Sequence, residues 1–241
     1  MALDTPQVYA NFVSSIDGIV AIEDGRAPSG GIISGRNEAD RFVMGLLRAF
    51  ADAILVGAGT VRAEGGKALW TPQYIFPAAA EGFRTLRAKH QRALDPALVI
   101  VSARGDLDPS DRAIQNGALV LTTKESEAAL RRRLPSSARV IGVSTGPHLQ
   151  PEVILSALAS EGHRAILTEG GPSLFGQLVQ AGRVDELFLT VSPALAGQAD
   201  NKSFGLIHGL DFSKALKWAV LRGVRQHESH LFLRYRLREA A

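Results

Sequence analysis

The chain has 241 residues, 46% hydrophobic and 21% charged, with a formal net charge of +3 and no cysteine. That is enough apolar sequence for one large α/β domain or two small ones, and it excludes disulfides and cysteine–zinc sites. No apolar run nears the roughly 20 residues of a membrane helix, and the N-terminal MALDTPQVYANFV lacks the basic-then-apolar pattern of a signal peptide. The basic residues are scattered, with Arg131-Arg132-Arg133 the one tight run. Neither a membrane nor a nucleic acid is therefore an expected partner, and the cytoplasm is the expected compartment.

In chain order, Val8-Tyr9-Ala10-Asn11-Phe12-Val13 reads as a first strand and Ile19-Val20-Ala21-Ile22 as a second. Asp17-Gly18 between them is a hairpin signal. Ser29-Gly30-Gly31-Ile32-Ile33-Ser34-Gly35 reads as a loop, either plain surface or a backbone that a ligand can approach closely. A helix from Asn37 to Ala51 carries an apolar stripe of Phe42, Val43, Leu46, Leu47 and Phe50. Arg41, Gly45 and Arg48 fall on another side, so the pattern does not force Arg48 into the core.

Ala53-Ile54-Leu55-Val56 is a buried strand ending in Gly57-Ala58-Gly59-Thr60. Open α/β sheets place ligands at such carboxyl ends, and Thr60 is placed to cap the turn that follows. Residues 65–82 read as an irregular covering loop with Trp70, Tyr74 and Phe76, followed by a basic helix over 82–93. Leu98-Val99-Ile100-Val101 is another buried strand. The hydroxyl of Ser102 and the guanidinium of Arg104 just beyond it suit a ribose or its 2′-phosphate, or simply a turn. Strand–helix units follow at 119–121 with 124–134, and at 140–143 with 152–161.

The stretch HRAILTEGGPSLFGQLVQAGR, residues 163–183, has the grammar of an anion site. A short buried strand, Ala165-Ile166-Leu167-Thr168, ends in Glu169. Gly170-Gly171 then lead into an amphipathic helix with Pro172 in its first turn, and Gly182 closes it. Paired glycines admit a phosphate, and the free N–H groups of Gly170, Gly171, Ser173 and Leu174 at the helix start can hold it. The plain alternative is a βα turn with glycines for packing. Beyond it, 186–192 reads as a strand, and 216–222 with 231–237 as an antiparallel hairpin. The sheet is expected to be mostly parallel, covered by helices on both faces, with that hairpin at its edge.

Four segments taken together resemble the reductase domain at the C-terminus of the bacterial bifunctional riboflavin-biosynthesis deaminase-reductase. They are SSIDG at 14–18, SGGIISG at 29–35, Leu47-Arg48-Ala49 with AILVGAGTVRAE at 53–64, and TEGGPSL at 168–174 running on to VDEL at 184–187 and PALAG at 193–197. The resemblance implies a dihydrofolate-reductase-like three-layer α/β/α fold, usually dimeric. It also implies NADPH-dependent reduction of the ribosyl group of a phosphorylated pyrimidine to the ribityl form, of the 5-amino-6-(5-phosphoribosylamino)uracil reductase type. A pterin such as dihydrofolate is an alternative acceptor, and a non-catalytic NADP-binding paralogue an alternative class. The deaminase signature, H-x-E with P-C-x-x-C, is missing, so residues 1–241 are expected to form one free-standing reductase domain.

Carried over by position, the family's cofactor contacts fall on Val13, Thr60, Ser102 and the run from Gly171 to Gln177. Its substrate contacts fall on Ser29 or Gly30, Arg48 and Glu169. The family more often has aspartate where Glu64 stands, with a proline where this chain has Gly66. Its downstream arginine has no counterpart except Lys67, and an aromatic usual near Ile32 is missing. These departures bear on the substrate more than on the cofactor. Glu169 is the expected proton donor or substrate anchor, and Arg48 a partner for the substrate phosphate.

Overall fold

A computed structural model describes residues 6–22, 29–198 and 202–237. Its strands, in chain order, are β1 (Gln7–Ser14), β2 (Ile19–Ile22), β3 (Ala53–Gly57), β4 (Ala97–Val101), β5 (Leu119–Thr123), β6 (Arg139–Ser144), β7 (Ala165–Thr168), β8 (Glu186–Val191), β9 (Ser203–Gly205), β10 (Val220–His227) and β11 (His230–Arg236). The helices are α1 (Ser29–Ile33), α2 (Glu38–Phe50), α3 (Ala58–Ala63), α4 (Pro72–Ile75), α5 (Ala80–Lys89), α6 (Arg112–Gln115), α7 (Lys124–Arg133), α8 (Pro151–Ser160) and α9 (Pro172–Gln180).

Nine strands form one sheet in the order β10-β11-β8-β1-β7-β3-β4-β5-β6. From β8 to β6 every pairing is parallel, and β11 and β10 continue the sheet antiparallel at one edge. The period-2 alternation of side chains splits the core in two. Tyr9, Ile54, Val56, Ile100, Val120 and Leu167 face Leu47, Val61, Ile114 and Leu130 on one side. Val8, Ala10, Leu55, Val99, Leu121 and Ile166 face Ile154, Leu158, Phe175 and Leu178 on the other. This is the expected three-layer α/β/α arrangement with a C-terminal hairpin. The first strand of that hairpin runs over 220–227 rather than 216–222, and Glu228 takes the positive φ of 51° at its turn.

Several local expectations need correction. Asp17-Gly18 does make a turn, with Gly18 at φ +85°, but β1 and β2 do not form a hairpin ladder. β1 pairs with β7 and β8, while β2 leaves the main sheet and pairs with β9. Residues 29–33 are helical rather than a loop, because Ile33 packs on Val13 and Ile19 and that burial outweighs the poor helix propensity of Gly30-Gly31. Within the covering stretch, Thr71 caps α4 by accepting from the Tyr74 N–H, and α5 begins at Ala80. α5 stops at Lys89, short of residue 93.

The apolar stripe of α2 is also shifted. Phe42 and Phe50 are exposed, whereas Asp40, Gly45, Leu47, Arg48 and Ala49 are buried. The reason is packing from above. α5 crosses α2 at Gly45, where Phe83 lies so close that a Cβ would meet its ring at 2.7 Å.

Candidate active site

The carboxyl ends of β1, β3, β4 and β7 open into one cavity of about 1000 Å³. β7 sets its floor. Thr168 Oγ1 donates to the Leu55 carbonyl (3.2 Å) and accepts from the Gly170 N–H (3.3 Å), while the Glu169 N–H donates to the same Leu55 carbonyl (3.2 Å). The turn after β7 is thereby folded over the end of β3, and α9 starts from it. No side chain among the described residues caps α9, and Pro172 stands in its first turn. A Cβ at Gly170 would come within 2.8 Å of the tip of the Leu174 side chain, and at Gly171 a Cβ would sit 3.2 Å from Thr60 Oγ1. That hydroxyl is buried and has no hydrogen-bond partner among the described residues.

α2 supplies the opposite wall. Asp40, Met44 and Arg48, spaced i, i+4, i+8, share one face and all line the cavity. Arg48 Nε donates to Glu169 Oε1 (2.9 Å) and Nη2 to Oε2 (2.6 Å), while Nη1 reaches the carbonyls of Leu69 (3.2 Å) and Thr71 (3.4 Å). Both side chains of the pair are less than a tenth exposed, at 6% and 7%. The helix end that carries Arg48 is fixed from behind by buried Arg87, whose Nη1 donates to the carbonyls of Arg48, Ala49 and Ala51. Burial pushes the Arg87 guanidinium down from its ordinary value, against the pull of Asp95 and Tyr9.

Two further carboxyls flank this pair. Glu64 ends α3 half-buried in the cavity wall. Burial pushes its carboxyl up, Arg48 opposes that and Glu169 adds to it. Asp40 is raised as well, chiefly by burial, with the hydroxyls of Thr190 and Ser34 and the His230 ring pulling it back.

Residues 6–226 match the family described as the RibD C-terminal domain. The chain belongs to the RibD C-terminal domain family. Riboflavin biosynthesis protein RibD of Mycobacterium tuberculosis is 32% identical over 192 residues, which is 80% of this chain and 43% of that protein. The chain thus spans less than half the length of that relative. A 2,5-diamino-6-ribosylamino-4(3H)-pyrimidinone 5′-phosphate reductase of Archaeoglobus fulgidus is 27% identical over 198 residues, covering 81% of this chain and 84% of the relative. The crystal structure of a pyrimidine reductase-like protein from Corynebacterium diphtheriae superposes with a TM-score of 0.78 at 24% identity, over 100% of this chain and 96% of the other. That likeness establishes the shared fold.

Set against this RibD-type domain, the structure brings together most of the positions marked in the sequence. Val13, Gly30, Arg48, Thr60, Glu64, Glu169, Gly170, Gly171, Pro172, Ser173 and Leu174 all line the cavity. Ser29 opens α1, but its side chain lies outside the described residues. Lys67, Ser102 and Arg104 do not line the cavity. Lys67 is exposed, and its carbonyl is taken by the Tyr74 hydroxyl (3.3 Å). Ser102 is buried in the ladder beside β5, its N–H donating to Leu121 and its carbonyl accepting from Thr122 Oγ1. Arg104 points to solvent.

Three readings of role also change. Thr60 does not cap a helix; it lies inside α3, whose N-cap is Gly57. Arg48 is not a free cation awaiting a phosphate, because Glu169 occupies it at two points. For the same reason Glu169 has both oxygens engaged as acceptors, and in this arrangement it is not placed to give up a proton. Asp40, Asn11, Arg41 and Trp70 also line the cavity, beyond the residues expected to bind substrate or cofactor. The signal available for Asp40 was its i, i+8 spacing to Arg48.

Proposed function

We propose that the chain is an NADPH-dependent reductase that converts the ribosyl group of a phosphoribosylamino-pyrimidine to the ribityl form. One observation carries this reading. An uncapped helix start with an orphaned hydroxyl, Thr60 beside Gly171, opens into the same cavity as the Arg48–Glu169 pair and Glu64. Thr60 and the backbone from Gly170 to Leu174 fit the cofactor's diphosphate, with N–H groups, a helix dipole and a hydroxyl in need of a partner. Val13 on β1 fits the face of a flat ring. The nicotinamide supplies the reducing equivalent when bound.

The chain's own residues would do the rest. Protonation of the open imine form of a ribosylamine places positive charge on the nitrogen beside the acceptor carbon; the Glu169 carboxylate would stabilise that cation, and the arriving hydride neutralises it to leave the amine. The Arg48 guanidinium holds the carboxylate in place. Glu64 retains its proton to higher pH than an ordinary glutamate and is the group fitted to deliver one to the substrate. These assignments move the acid role expected of Glu169 to Glu64.

The family supports a riboflavin-pathway pyrimidine as substrate, and the A. fulgidus relative is named for one. One sheet carries strands from Gln7 to Arg236, which supports a single reductase domain. A homodimer is supported by apolar side chains bared along and before β10: Leu216, Trp218, Val220, Leu221 and Val224 are all exposed. The cytoplasm is the compartment this reading implies.

The test is NADPH consumption followed by absorbance with phosphoribosylamino-pyrimidines and with dihydrofolate, side by side. Consumption with a pyrimidine is expected. Consumption with dihydrofolate alone would replace the substrate, and cofactor binding without consumption would make the chain a non-catalytic binder.

A further inference from the structure

The reading above leaves Asp40 without a task. It lies in the first turn of α2, is 5% exposed, and lines the cavity that holds Arg48, Glu169 and Glu64. It does not cap its own helix. The capping role belongs to Asn37, whose Oδ1 accepts from the Asp40 N–H (3.0 Å). A capping-box acid at this position would reach back to the Asn37 N–H, but that N–H already donates to the Ser34 carbonyl (3.2 Å).

No ion pair reaches Asp40 among the described residues. The nearby His230 does not supply one. Its Nδ1 faces the Asn37 side-chain amide nitrogen (3.3 Å), a donor, and its Nε2 faces the Ser34 carbonyl (3.1 Å), an acceptor. Thr190 and Ser34 offer hydroxyls, and Glu169 adds a second negative charge. A buried carboxylate with hydroxyls but no ion pair among the described residues, in the wall of a ligand cavity, has acceptor capacity left for the ligand.

A carboxylate presents two acceptors side by side, and its complement on a flat heterocycle is two adjacent N–H donors. A 2-aminopyrimidin-4-one has them, at N3 and on the 2-amino group. A uracil has a carbonyl in place of that amino group, which would set acceptor against acceptor. We infer that Asp40 reads the N3–H and 2-amino edge of the pyrimidine, so that the enzyme selects the 2-aminopyrimidinone over the deaminated uracil. This rests on the pyrimidine-reductase reading and deepens it. Asp40 is then a specificity residue, distinct from the groups assigned to the reducing step.

The test compares kcat/KM for the 2,5-diamino-pyrimidinone and the 5-amino-uracil phosphoribosylamines, in the unaltered protein and in D40N, with NADPH affinity as the control. The unaltered protein is expected to favour the diamino substrate by about tenfold or more, the effect of one mismatched buried polar contact. D40N offers one donor and one acceptor, so it should lose about 10- to 100-fold on the diamino substrate and reverse the preference, at unchanged NADPH affinity. Equal loss on both substrates, or a preference for uracil in the unaltered protein, overturns the inference while leaving the reductase reading intact. Consumption with neither substrate overturns both. A measurement without any variant covers the case of a misfolded D40N: an N3-methyl analogue of the diamino substrate must fail to compete in the unaltered protein, and competition at full strength refutes the contact.

Discussion

Arg48 and Glu169, 121 residues apart in the chain, meet through two parallel hydrogen bonds of 2.9 and 2.6 Å in the wall of the cavity. The pair ties α2 to the turn between β7 and α9, so the two halves of the site share one joint. Removing one partner strands a buried charge, which costs about 3–5 kcal/mol. R48M is therefore expected to lower unfolding free energy by about that amount in urea. The double change R48M with E169L should recover most of the loss, because a well-packed apolar pair tolerates burial, and yet show no turnover. Recovery of activity in the double variant would show that the pair only holds the fold.

Glu64 makes a pH-dependent prediction. Its native carboxyl is raised above the ordinary 4.5 by burial. The native state therefore binds a proton that the unfolded state has released, and stability falls as pH rises from 4.5 through the native value. E64Q cannot ionise, so the stability difference between E64Q and the parent should move in favour of E64Q across that window and flatten above it. Asp40 contributes the same sign from an ordinary value of 3.8, which is why the comparison is made as a difference. If Glu64 is the acid, kcat in the parent also declines as pH rises through the same window, and E64Q lowers kcat while leaving NADPH affinity alone. Denaturant melts at a series of pH values and a pH–rate profile read the two effects separately.

Thr60 offers a cleaner view of the cofactor site. Its buried hydroxyl lacks a partner among the described residues, so T60V should leave the ligand-free protein as stable or slightly more so. With NADPH present the hydroxyl is expected to find its partner, and T60V should then weaken binding by about 0.5–1.5 kcal/mol. G171A adds a Cβ 3.2 Å from Thr60 Oγ1 in a backbone conformation, φ −60°, that alanine adopts freely. Folding should survive it and NADPH titration should not. Equal cofactor affinity in both variants would remove the diphosphate from this corner.

The exposed apolar stretch before and along β10 predicts the assembly state. Trp218 is 83% exposed and Leu216 62%, and β10 is the outermost strand of the sheet. An apolar edge strand of this kind is a surface that a partner covers. Sedimentation is expected to give a dimer, and the pair of changes L221K and V224K to give a monomer. A parent protein that sediments as a monomer at high concentration would refute the dimer.

Much of this architecture was legible in the residues. The runs 53–56, 98–101 and 165–167 are apolar throughout because strands covered on both faces have no polar side to show, and Glu169-Gly170-Gly171-Pro172 announced a strand end and a helix start in four letters. What escaped was set by partners distant in sequence. β2 looked like the second arm of a hairpin until Ser203–Gly205 claimed it. The helical pattern did not require Arg48 to be buried, because the counter-charge that holds it in the cavity wall lies 121 residues away. Lys67, Ser102 and Arg104 had suitable chemistry, but a strand end fixes where the chain goes, not which way each side chain turns. Nothing local marks Asp40, because the groups that face it, Thr190, His230 and Glu169, all come from far along the chain.

Gly45 turns that last lesson into a measurement. On an isolated exposed helix, replacing glycine by alanine would stabilise by about 1 kcal/mol. Here Gly45 is buried where α2 meets α5, and a Cβ would come within 2.7 and 2.9 Å of the Phe83 ring and 3.3 Å of the Pro72 carbonyl. Phe83 is itself 3% exposed and has little room to retreat. Overpacking of this kind costs about 1–3 kcal/mol, so the clash should outweigh the gain in propensity. G45A is expected to melt several degrees below the parent, and G45A with F83L to regain most of the difference because the smaller side chain clears the contact. Since Arg48 sits on the next turn of the same helix, G45A should also raise KM for the pyrimidine more than it weakens NADPH. A G45A protein more stable than the parent would mean that α5 does not press on α2 as the structure has it.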